Sequence, residues 1–367
     1  MRRVVDGTHG ARIVVDGRAC VNFCSNDYLG LAGDARIAVA ASKALSNGVG
    51  SGASALVSGY NREHALLEEE LAGFVQRPRA LLFSSGWAAN LGVLRALLGK
   101  GDTLIADELN HASLIDGGRL AAANALRVPH VDVAAFAQAL AAPRQGLTLL
   151  ATDSLFSMDG DLAPLAELSP LCSASDAALM VDDAHGFGVL GDGRGALFEQ
   201  RATPLAADIY MAGFGKALGT AGAFVAGSEA LIEFLIQRAR TFVFSTAPPP
   251  ALAAATRASL ALIAGNEGGE RRAHLAALIA RFRQGCAQQG ITLSQSRTAI
   301  QPLLLGAESR ALKASQALLD HGYWVAAIRP PTVAAGTARL RITLTAAHTE
   351  AEVDGLVEAL YLAIKTA

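Results

Sequence analysis

Charged residues are scarce in this sequence, at 17% of 367 positions, and neither sign prevails, because 31 Lys and Arg stand against 33 Asp and Glu. The net charge of −2 gives no attraction for nucleic acid or for an anionic membrane surface. Hydrophobic residues make up 51%, which is enough to bury a large core and excludes a disordered chain. At this length we expect one large α/β unit or two closely packed lobes.

Long apolar runs are also missing. A membrane-spanning helix needs about 20 consecutive apolar residues, and the uncharged stretches 80–94 and 241–256 are interrupted by polar residues or by proline. The N-terminal sequence MRRVVDGTHG lacks the apolar segment of a secretory signal. Cys20 and Cys24 have no second cysteine pair, so a zinc site is not expected. We therefore expect a cytoplasmic protein with reduced thiols, no metal, and no membrane or nucleic-acid partner.

Short apolar segments alternate with helical patterns from about residue 80 to residue 228. Such alternation is typical of a mostly parallel central sheet with helices on both faces, an α/β fold. The predicted strands are 80–83, 103–106, 147–152, 179–181, 209–211 and 223–226. Ahead of them, residues 12–16 and 18–23 predict a hairpin around Asp16-Gly17.

Three consecutive prolines, Pro248 to Pro250, interrupt the chain, and an α+β pattern follows them. We therefore predict three ranges. An N-terminal segment at 1–33 packs with the small domain, a large domain spans 34–249, and a smaller α+β C-terminal domain spans 250–367.

In open α/β sheets, ligands bind beyond the carboxyl ends of the strands. The first predicted strand leads into Ser84-Ser85-Gly86-Trp87, a turn before a helix whose N–H groups suit a phosphate, although an ordinary capped turn has the same pattern. His111 follows the second strand, where a solvated or core histidine is the simpler reading. Asp182 and His185 follow strand 179–181. If Asp182 is buried there, its carboxylate needs a cation partner. The alternative is an ordinary turn whose acidic side chains are solvated.

Lysine is rare, with residues at 43, 100, 216, 313 and 365 only. Lys216 follows strand 209–211 and lies among glycines and apolar residues, in Gly213-Phe214-Gly215-Lys216. An amine held in such surroundings loses its proton more easily than a solvated one, and the neutral amine is a nucleophile and a base. A surface lysine is the weaker alternative.

Together these strand ends describe a site for pyridoxal 5′-phosphate (PLP). Lys216 would form a Schiff base with its aldehyde, and Asp182 would keep its ring nitrogen protonated so that the ring accepts electrons. His111 would stack on the ring, and His185 would hydrogen-bond its hydroxyl group. The large domain at 34–249 is then the cofactor-binding domain.

The sequence resembles the α-oxoamine synthases nearly from end to end. The stretches that carry the resemblance are Asn26-Asp27-Tyr28-Leu29-Gly30-Leu31, Gly50-Ser51-Gly52 to Val57-Ser58-Gly59-Tyr60, Ser157-Met158-Asp159-Gly160-Asp161, Val181-Asp182-Asp183-Ala184-His185-Gly186, Phe214-Gly215-Lys216, and Ile328-Arg329-Pro330-Pro331-Thr332-Val333 with Gly336-Thr337-Ala338-Arg339-Leu340-Arg341. The resemblance implies fold type I of the PLP-dependent transferases and a homodimer with sites at the subunit interface. The branch that the last stretch resembles condenses L-alanine with a pimeloyl thioester, carried by coenzyme A (pimeloyl-CoA) or by acyl carrier protein, in biotin biosynthesis.

The resemblance also implies roles for single residues. Lys216, His111, Asp182 and His185 take the catalytic and cofactor-binding roles already inferred. The further cofactor-binding residues that it implies are Gly86, Trp87, Ser157 and Thr246, the last of which, with Ser245, reaches the partner subunit's cofactor. Asn26 and Arg329 are expected to hold the amino acid, and Thr332 is expected to contact the acyl substrate.

Two departures and two alternatives accompany this reading. Gly213 stands where relatives often carry a Thr that helps to hold the phosphate, so one donor is expected to be absent. The relatives' N-terminal helix, with an Arg that meets the acyl substrate, is expected to have no counterpart before Met1, so that either Arg2 or Arg3 substitutes for that Arg or the chain is shortened. The alternatives are a sister condensation of glycine with acetyl-CoA and a catalytically silent partner subunit, although the retention of Lys216 with Asp182 and His185 argues against the second.

Overall fold

A computed structural model of the chain describes residues 3–7, 9–199 and 204–366. The chain forms two compact units. Unit 1 comprises Met1–Asp34, Ser157–Asp161 and Asn266–Ala367, and unit 2 comprises Ala35–Phe156 and Leu162–Gly265.

The strands confirm the alternation that the sequence predicts and extend most of the predicted segments by one or two residues. In chain order they are β1 Val5–Asp6, β2 Arg12–Val15, β3 Arg18–Asn22, β4 Arg79–Phe83, β5 Thr103–Asp107, β6 Asn124–Val128, β7 Thr148–Asp153, β8 Ala178–Asp182, β9 Ile209–Gly213, β10 Ala223–Gly227, β11 Ile300–Gly306, β12 Tyr323–Trp324, β13 Ala326–Ile328 and β14 Ala338–Thr343.

Helices separate most of these strands. They are α1 Ala35–Leu45, α2 Arg62–Phe74, α3 Gly86–Leu97, α4 Ala112–Ala121, α5 Val133–Ala141, α6 Leu165–Ala174, α7 Glu229–Arg238, α8 Arg240–Val243, α9 Pro250–Ala264, α10 Asn266–Gln288, α11 Glu308–Asp320 and α12 Glu350–Thr366. A short π-helical turn at Ala55–Gly59 and 3₁₀ turns at Gly191–Gly193 and Ala196–Phe198 complete the described elements.

Unit 2 is built on a seven-stranded sheet with the order β4-β10-β9-β8-β7-β5-β6. The neighbours β9, β8, β7, β5 and β6 run parallel, whereas β10 is antiparallel to both β9 and β4. All residues of β5, β7 and β10 are buried, as expected for strands covered on both faces. Apolar side chains of α3 and α7, including Val93, Leu94 and Leu235, share one buried cluster with alternate residues of the sheet.

Helix α9 belongs to unit 2, which corrects the predicted domain boundary near residue 250. The prolines do not separate two domains: Pro250 lies in the first turn of α9, where a fixed φ and a missing N–H fit the helix geometry. The helix packs against α1 and α2 of the same unit. The change between units therefore comes after Gly265, and unit 1 also includes Ser157–Asp161, which the prediction placed in the large domain.

Unit 1 contains two small sheets, with the orders β1-β2-β3-β12 and β11-β14-β13. The predicted hairpin is confirmed, because β2 and β3 pair antiparallel around Asp16 and Gly17. Both turn residues have positive φ, 49° and 79°, as a type I′ turn requires. In the second sheet β14 lies between β11 and β13 and is buried along its whole length.

Across the part of the chain that the structure describes, no helix combines the length and the apolar character that a membrane span requires.

Candidate active site

The predicted site residues of unit 2 follow strands whose carboxyl ends share one edge of the sheet. Strands β5, β7, β8 and β9 are parallel neighbours, and β4 is parallel to them because the antiparallel β10 lies between β4 and β9. Gly86, His111, Asp182 and Lys216 come at or directly beyond these ends. The topology therefore brings to one edge the residues that the sequence singles out.

Asp182 is the last residue of β8 and is 4% exposed. Its Oδ1 accepts the Ala184 N–H at 3.0 Å, and its Oδ2 accepts a hydrogen bond from the Asn90 amide nitrogen at 2.7 Å. Two donors thus fix the orientation of the carboxylate.

Lys216 lies half-buried in the loop between β9 and β10. The loop closes on itself, because the Gly219 N–H donates to the Lys216 carbonyl at 2.9 Å. Helix α9 holds it from outside: the Ser259 hydroxyl donates to the Leu218 carbonyl at 2.7 Å, and the Thr256 and Thr220 hydroxyls lie 2.8 Å apart. Lys216 therefore extends from a loop whose backbone is held by hydrogen bonds within the loop and by α9.

His111 is the N-cap of α4 and is exposed. Its backbone N–H donates to Asp153 Oδ2 at 2.6 Å, and its ring Nδ1 lies 2.7 Å from the Ser113 hydroxyl. The ring also meets Trp87 edge to face, with centroids 6.2 Å apart. One side of the imidazole is thus fixed by protein contacts.

Two further buried carboxyl groups, those of Asp153 and Asp183, lie at the end of β7 and directly after β8. Burial, and after it the charge of Asp182, raises the pKa of Asp153 well above its ordinary range, against the His111 N–H and the charge of Lys216. Burial likewise raises the pKa of Asp183 to about 6, although Ser154, Tyr210 and the Ala196 N–H all donate to that carboxyl group. Asp183 therefore anchors the loop that carries His185, which is itself buried.

The proposed phosphate turn is the N-terminus of α3. The Ser85 hydroxyl caps this helix by accepting the Ala88 N–H at 3.1 Å. The N–H groups of Gly86 and Trp87 belong to the first turn, which a helix cannot pair internally. At Gly213, at the end of β9, an added Cβ would meet no atom closer than the Gly222 carbonyl oxygen at 3.9 Å.

Thr246, the residue expected to reach the partner subunit's cofactor, is exposed and forms an isolated antiparallel bridge with Ser54. The neighbouring Ala247 N–H donates to the Ala53 carbonyl at 3.1 Å, and the Ser51 hydroxyl donates to the Ala247 carbonyl at 2.5 Å. The segment that carries Thr246 is thereby hydrogen-bonded to the glycine-rich loop, residues 48–54, which contains the family stretch Gly50-Ser51-Gly52.

In unit 1 the structure joins Asn26 to Arg341 and not to Arg329. Arg341 is 6% exposed, and its Nη1 donates to Asn26 Oδ1 at 3.1 Å while its Nε donates to the Ser157 carbonyl at 2.6 Å. Arg329 and Thr332 are exposed and lie between β13 and β14. The segments of Asn26 and Ser157 are thus joined at a buried arginine of β14.

The two buried arginines of β14 differ in their partners. Arg339 forms an ion pair with Asp159. Arg341 donates to a backbone carbonyl, an amide oxygen and the Thr343 hydroxyl, all of them neutral. A buried cation with only neutral acceptors is suited to bind an anion.

Sequence reasoning missed several of these residues. Asn90 and Ser113 lie on helices and lack a motif of their own, and Arg341 was noted only as part of a family stretch. A polar residue among the apolar positions of a helix was the available signal for Asn90, because such a residue needs a partner when buried.

The donor set of unit 2 fits PLP. A buried carboxylate suits a protonated ring nitrogen, an amine suits an aldehyde, and helix N–H groups suit a phosphate. Within the described ranges there is no group of three or more His, Cys, Asp or Glu side chains that would hold a metal ion.

Comparison with known proteins identifies the family. The aminotransferase class I and II family matches residues 18–360. The 8-amino-7-oxononanoate synthase of Methylococcus capsulatus (strain Bath) is 55% identical over 361 residues, which cover 98% of this chain and 93% of that protein. The chain belongs to the 8-amino-7-oxononanoate synthase family. It is thus an acyltransferase-type enzyme with the fold of the class I and II aminotransferases, as the sequence predicts.

Solved structures agree with this family. A serine palmitoyltransferase from S. paucimobilis with a bound PLP–myriocin adduct superposes with a TM-score of 0.95 at 28% identity, covering 100% of this chain and 92% of that one. The 8-amino-7-oxononanoate synthase of Francisella tularensis superposes with a TM-score of 0.82 at 30% identity, covering 95% and 98% of the two chains. The predicted fold type I architecture is confirmed.

Proposed function

We propose that this enzyme uses PLP to condense L-alanine with a pimeloyl thioester. The products are 8-amino-7-oxononanoate, carbon dioxide and the free thiol carrier, and the reaction belongs to biotin biosynthesis. The observation that carries the proposal is that Asp182 ends β8 and Lys216 follows the adjacent parallel strand β9, with Asp182 and Met211 in register. Full-length similarity to 8-amino-7-oxononanoate synthases supports the choice of reaction.

Each part of the cofactor has a residue to receive it. When bound, PLP supplies an electron sink for the bond that breaks at the amino acid's α-carbon. Asp182 receives the ring nitrogen, Lys216 the aldehyde, and the N–H groups of Gly86 and Trp87 the phosphate. His111 would stack on the ring, His185 would hydrogen-bond its hydroxyl group, and Ser157 is expected to bind the cofactor as well.

Lys216 also moves a proton. Its side-chain amine would take the α-proton of the bound alanine. The anchoring of its loop to α9 limits how far the amine travels between these tasks.

The carboxylate of alanine needs a cation, and two arginines are candidates. The sequence favours Arg329, which is exposed. The contacts favour Arg341, because it is buried, donates only to neutral acceptors and already binds Asn26. We propose that Arg341, with Asn26 beside it, binds the carboxylate of alanine, and that Thr332 contacts the acyl substrate.

Dimerisation would complete the site through Thr246 of the partner subunit. The segment around the glycine-rich loop exposes several apolar side chains, among them Val39 (66%), Val49 (75%) and Val57 (78%). Several strongly exposed apolar side chains within one stretch of sequence favour burial against another protein surface. A second copy of the chain is the proposed cover, and size-exclusion chromatography with light scattering tests it.

The enzyme is proposed to act in the cytoplasm. Its four cysteines form no disulfide, and the pKa values of the thiols of Cys24, Cys172 and Cys286 are raised by burial, to about 12, 11 and 12. Such thiols resist oxidation and suit a reducing compartment.

The direct test is turnover of the purified enzyme with matched substrate pairs. Thiol release and product mass are measured with L-alanine and pimeloyl-CoA, with L-alanine and pimeloyl-acyl carrier protein, and with glycine and acetyl-CoA. The first or second pair is expected to be fastest. Faster turnover with glycine and acetyl-CoA would replace the substrate assignment, and failure to bind PLP or turn over any pair would identify a silent subunit.

A further inference from the structure

Asn90 connects two residues of the site through its side-chain amide. It lies on α3 and is 0% exposed. Its Nδ2 donates to Asp182 Oδ2 at 2.7 Å and to the Ser113 hydroxyl oxygen at 2.8 Å. Its Oδ1 is buried and has no hydrogen-bond partner.

The orientation of this amide follows from its neighbours. An ionised Asp182 can only accept, so the amide must present its nitrogen to that carboxylate. The second hydrogen of the same nitrogen then goes to Ser113. Both hydrogens of the Asn90 amide nitrogen are therefore donated, and the two oxygens that receive them, Asp182 Oδ2 and Ser113 Oγ, act as acceptors.

Ser113 passes this constraint to His111. With its oxygen accepting from Asn90, the Ser113 hydroxyl keeps its own hydrogen for His111 Nδ1, which lies 2.7 Å away and already accepts a backbone N–H. The Ser113 backbone N–H also points to Nδ1, at 3.3 Å. Nδ1 is therefore an acceptor on two counts, and the proton of a neutral imidazole belongs on Nε2.

Packing alone does not account for asparagine at this position. A buried amide oxygen without a partner lowers stability, and a leucine of similar volume would fill the space without that loss. The amide nitrogen, with two acceptors within 2.8 Å, is the part that the surroundings use.

We propose that Asn90 is a positioning residue that holds the Asp182 carboxylate and, through Ser113, fixes His111 in the Nε2–H tautomer. Asp182 is then held ready to accept from a protonated ring nitrogen, and His111 presents an N–H donor on its other side. The proposal rests on the proposed function only for what these two residues contact. The state of His111 is a property of the protein itself.

The first experiment reads the tautomer without cofactor or substrate. The apoprotein is labelled with ¹⁵N-histidine, the resonances of His111 are assigned by their loss in His111→Gln, and its two nitrogens are followed by NMR at pH 8. We expect Nε2 to carry the proton. Ser113→Ala and Asn90→Leu are expected to give a mixture of tautomers, whereas Asn124→Leu, at an exposed asparagine of β6, should leave the spectrum of His111 unchanged.

The second experiment separates the two branches of the network by equilibrium binding of PLP to the apoproteins. Asn90→Leu releases Asp182 and is expected to weaken binding by about ten- to a hundredfold, as for loss of a hydrogen bond to a charged group. Ser113→Ala leaves the contact between Asn90 and Asp182 in place and is expected to change the affinity less than threefold, a bound set by the roughly 0.6 kcal/mol to which it corresponds.

The proposal would be overturned if His111 carried its proton on Nδ1 in the wild-type protein, or if its tautomer stayed the same in both Ser113→Ala and Asn90→Leu. Equal effects of Ser113→Ala and Asn90→Leu on PLP binding would overturn the separate role at Asp182. If Asn90→Leu does not fold, the wild-type and Ser113→Ala spectra still decide. Wild-type protein that fails to bind PLP would instead contradict the proposed function and leave the tautomer result standing.

Discussion

Asp153 and Asp182 are register partners on the neighbouring parallel strands β7 and β8, so two carboxyl groups lie side by side at one edge of the sheet. Asp182 is held by two donors, and the pKa of Asp153 is raised by burial and by the charge of Asp182. Asp182 is thus held in place by two N–H donors, while the raised pKa of Asp153 favours the protonated form of that group.

Asp153→Asn should stabilise the apoprotein at high pH. A carboxyl group whose pKa is raised on folding contributes stability that is complete below its unfolded-state pKa and is lost as pH rises through its folded-state pKa. The variant lacks this loss, and its amide oxygen can still accept the His111 N–H. The difference in thermal midpoint between variant and wild type should grow from pH 5 to pH 9. Asp192→Asn, at an exposed acid, is the control, and a difference that shrinks with rising pH would contradict the expectation.

Lys216→Ala should abolish turnover and covalent attachment of the cofactor. No other lysine follows a strand of the large sheet at this edge, and the remaining four lie elsewhere in the sequence. Borohydride reduction followed by peptide mass spectrometry should label the wild-type peptide that contains residue 216 and none in the variant. Lys100→Ala serves as the matched control. Substantial activity of Lys216→Ala without an added amine would remove Lys216 from its role.

Arg341→Lys should raise the KM for L-alanine about tenfold to a hundredfold, since lysine keeps the charge but cannot reproduce a planar, two-pronged contact with a carboxylate. The KM for the thioester should change little. Arg329→Lys is the matched variant and is expected to leave the KM for L-alanine near the wild-type value. The reverse result, with Arg329→Lys defective and Arg341→Lys normal, would restore the assignment that the sequence favours.

Gly213→Thr should preserve or raise the affinity for PLP. An added Cβ would make only ordinary contacts, 3.9 Å from the Gly222 oxygen and 4.0 Å from Ala184 Cβ, and φ at this glycine is not positive. The hydroxyl can then supply the phosphate donor that relatives often have. Gly213→Ala adds the Cβ alone and separates the two effects. A large loss of affinity in both variants, with unchanged thermal stability, would mean that the site needs the glycine itself.

The sequence was most informative where a single local rule decides the structure. Continuous apolar segments placed the central strands of unit 2, because a strand covered on both faces contains few polar residues. Asp-Gly between two alternating segments placed the hairpin at Asp16-Gly17. Strand β6 was missed because it is an edge strand with mostly exposed or half-buried residues, which gives little apolar signal.

The network of the site was beyond sequence reasoning for a different reason. Asn90 meets Asp182, which lies 92 positions away, and Arg341 meets Asn26 across 315 positions. No periodicity or spacing records such pairs, because they arise only when separate elements pack together. The domain boundary predicted at Pro248 to Pro250 was wrong for a local reason. Proline is found both where an element ends and in the first turn of a helix, and here Pro250 begins α9.

The sheet β1-β2-β3-β12 of unit 1 can be completed only late in translation. Strand β3 pairs with β12 in parallel, with Val21 opposite Tyr323, so the strand made early in translation meets its neighbour about 300 residues later. Until that segment has left the ribosome, the hairpin of β2 and β3 has an edge without its native neighbour. An early hairpin with such an edge is a target for chaperones and for pairing with other nascent chains. Slow synthesis of the middle of the chain should therefore lower the yield of folded protein more than slow synthesis of its last helix.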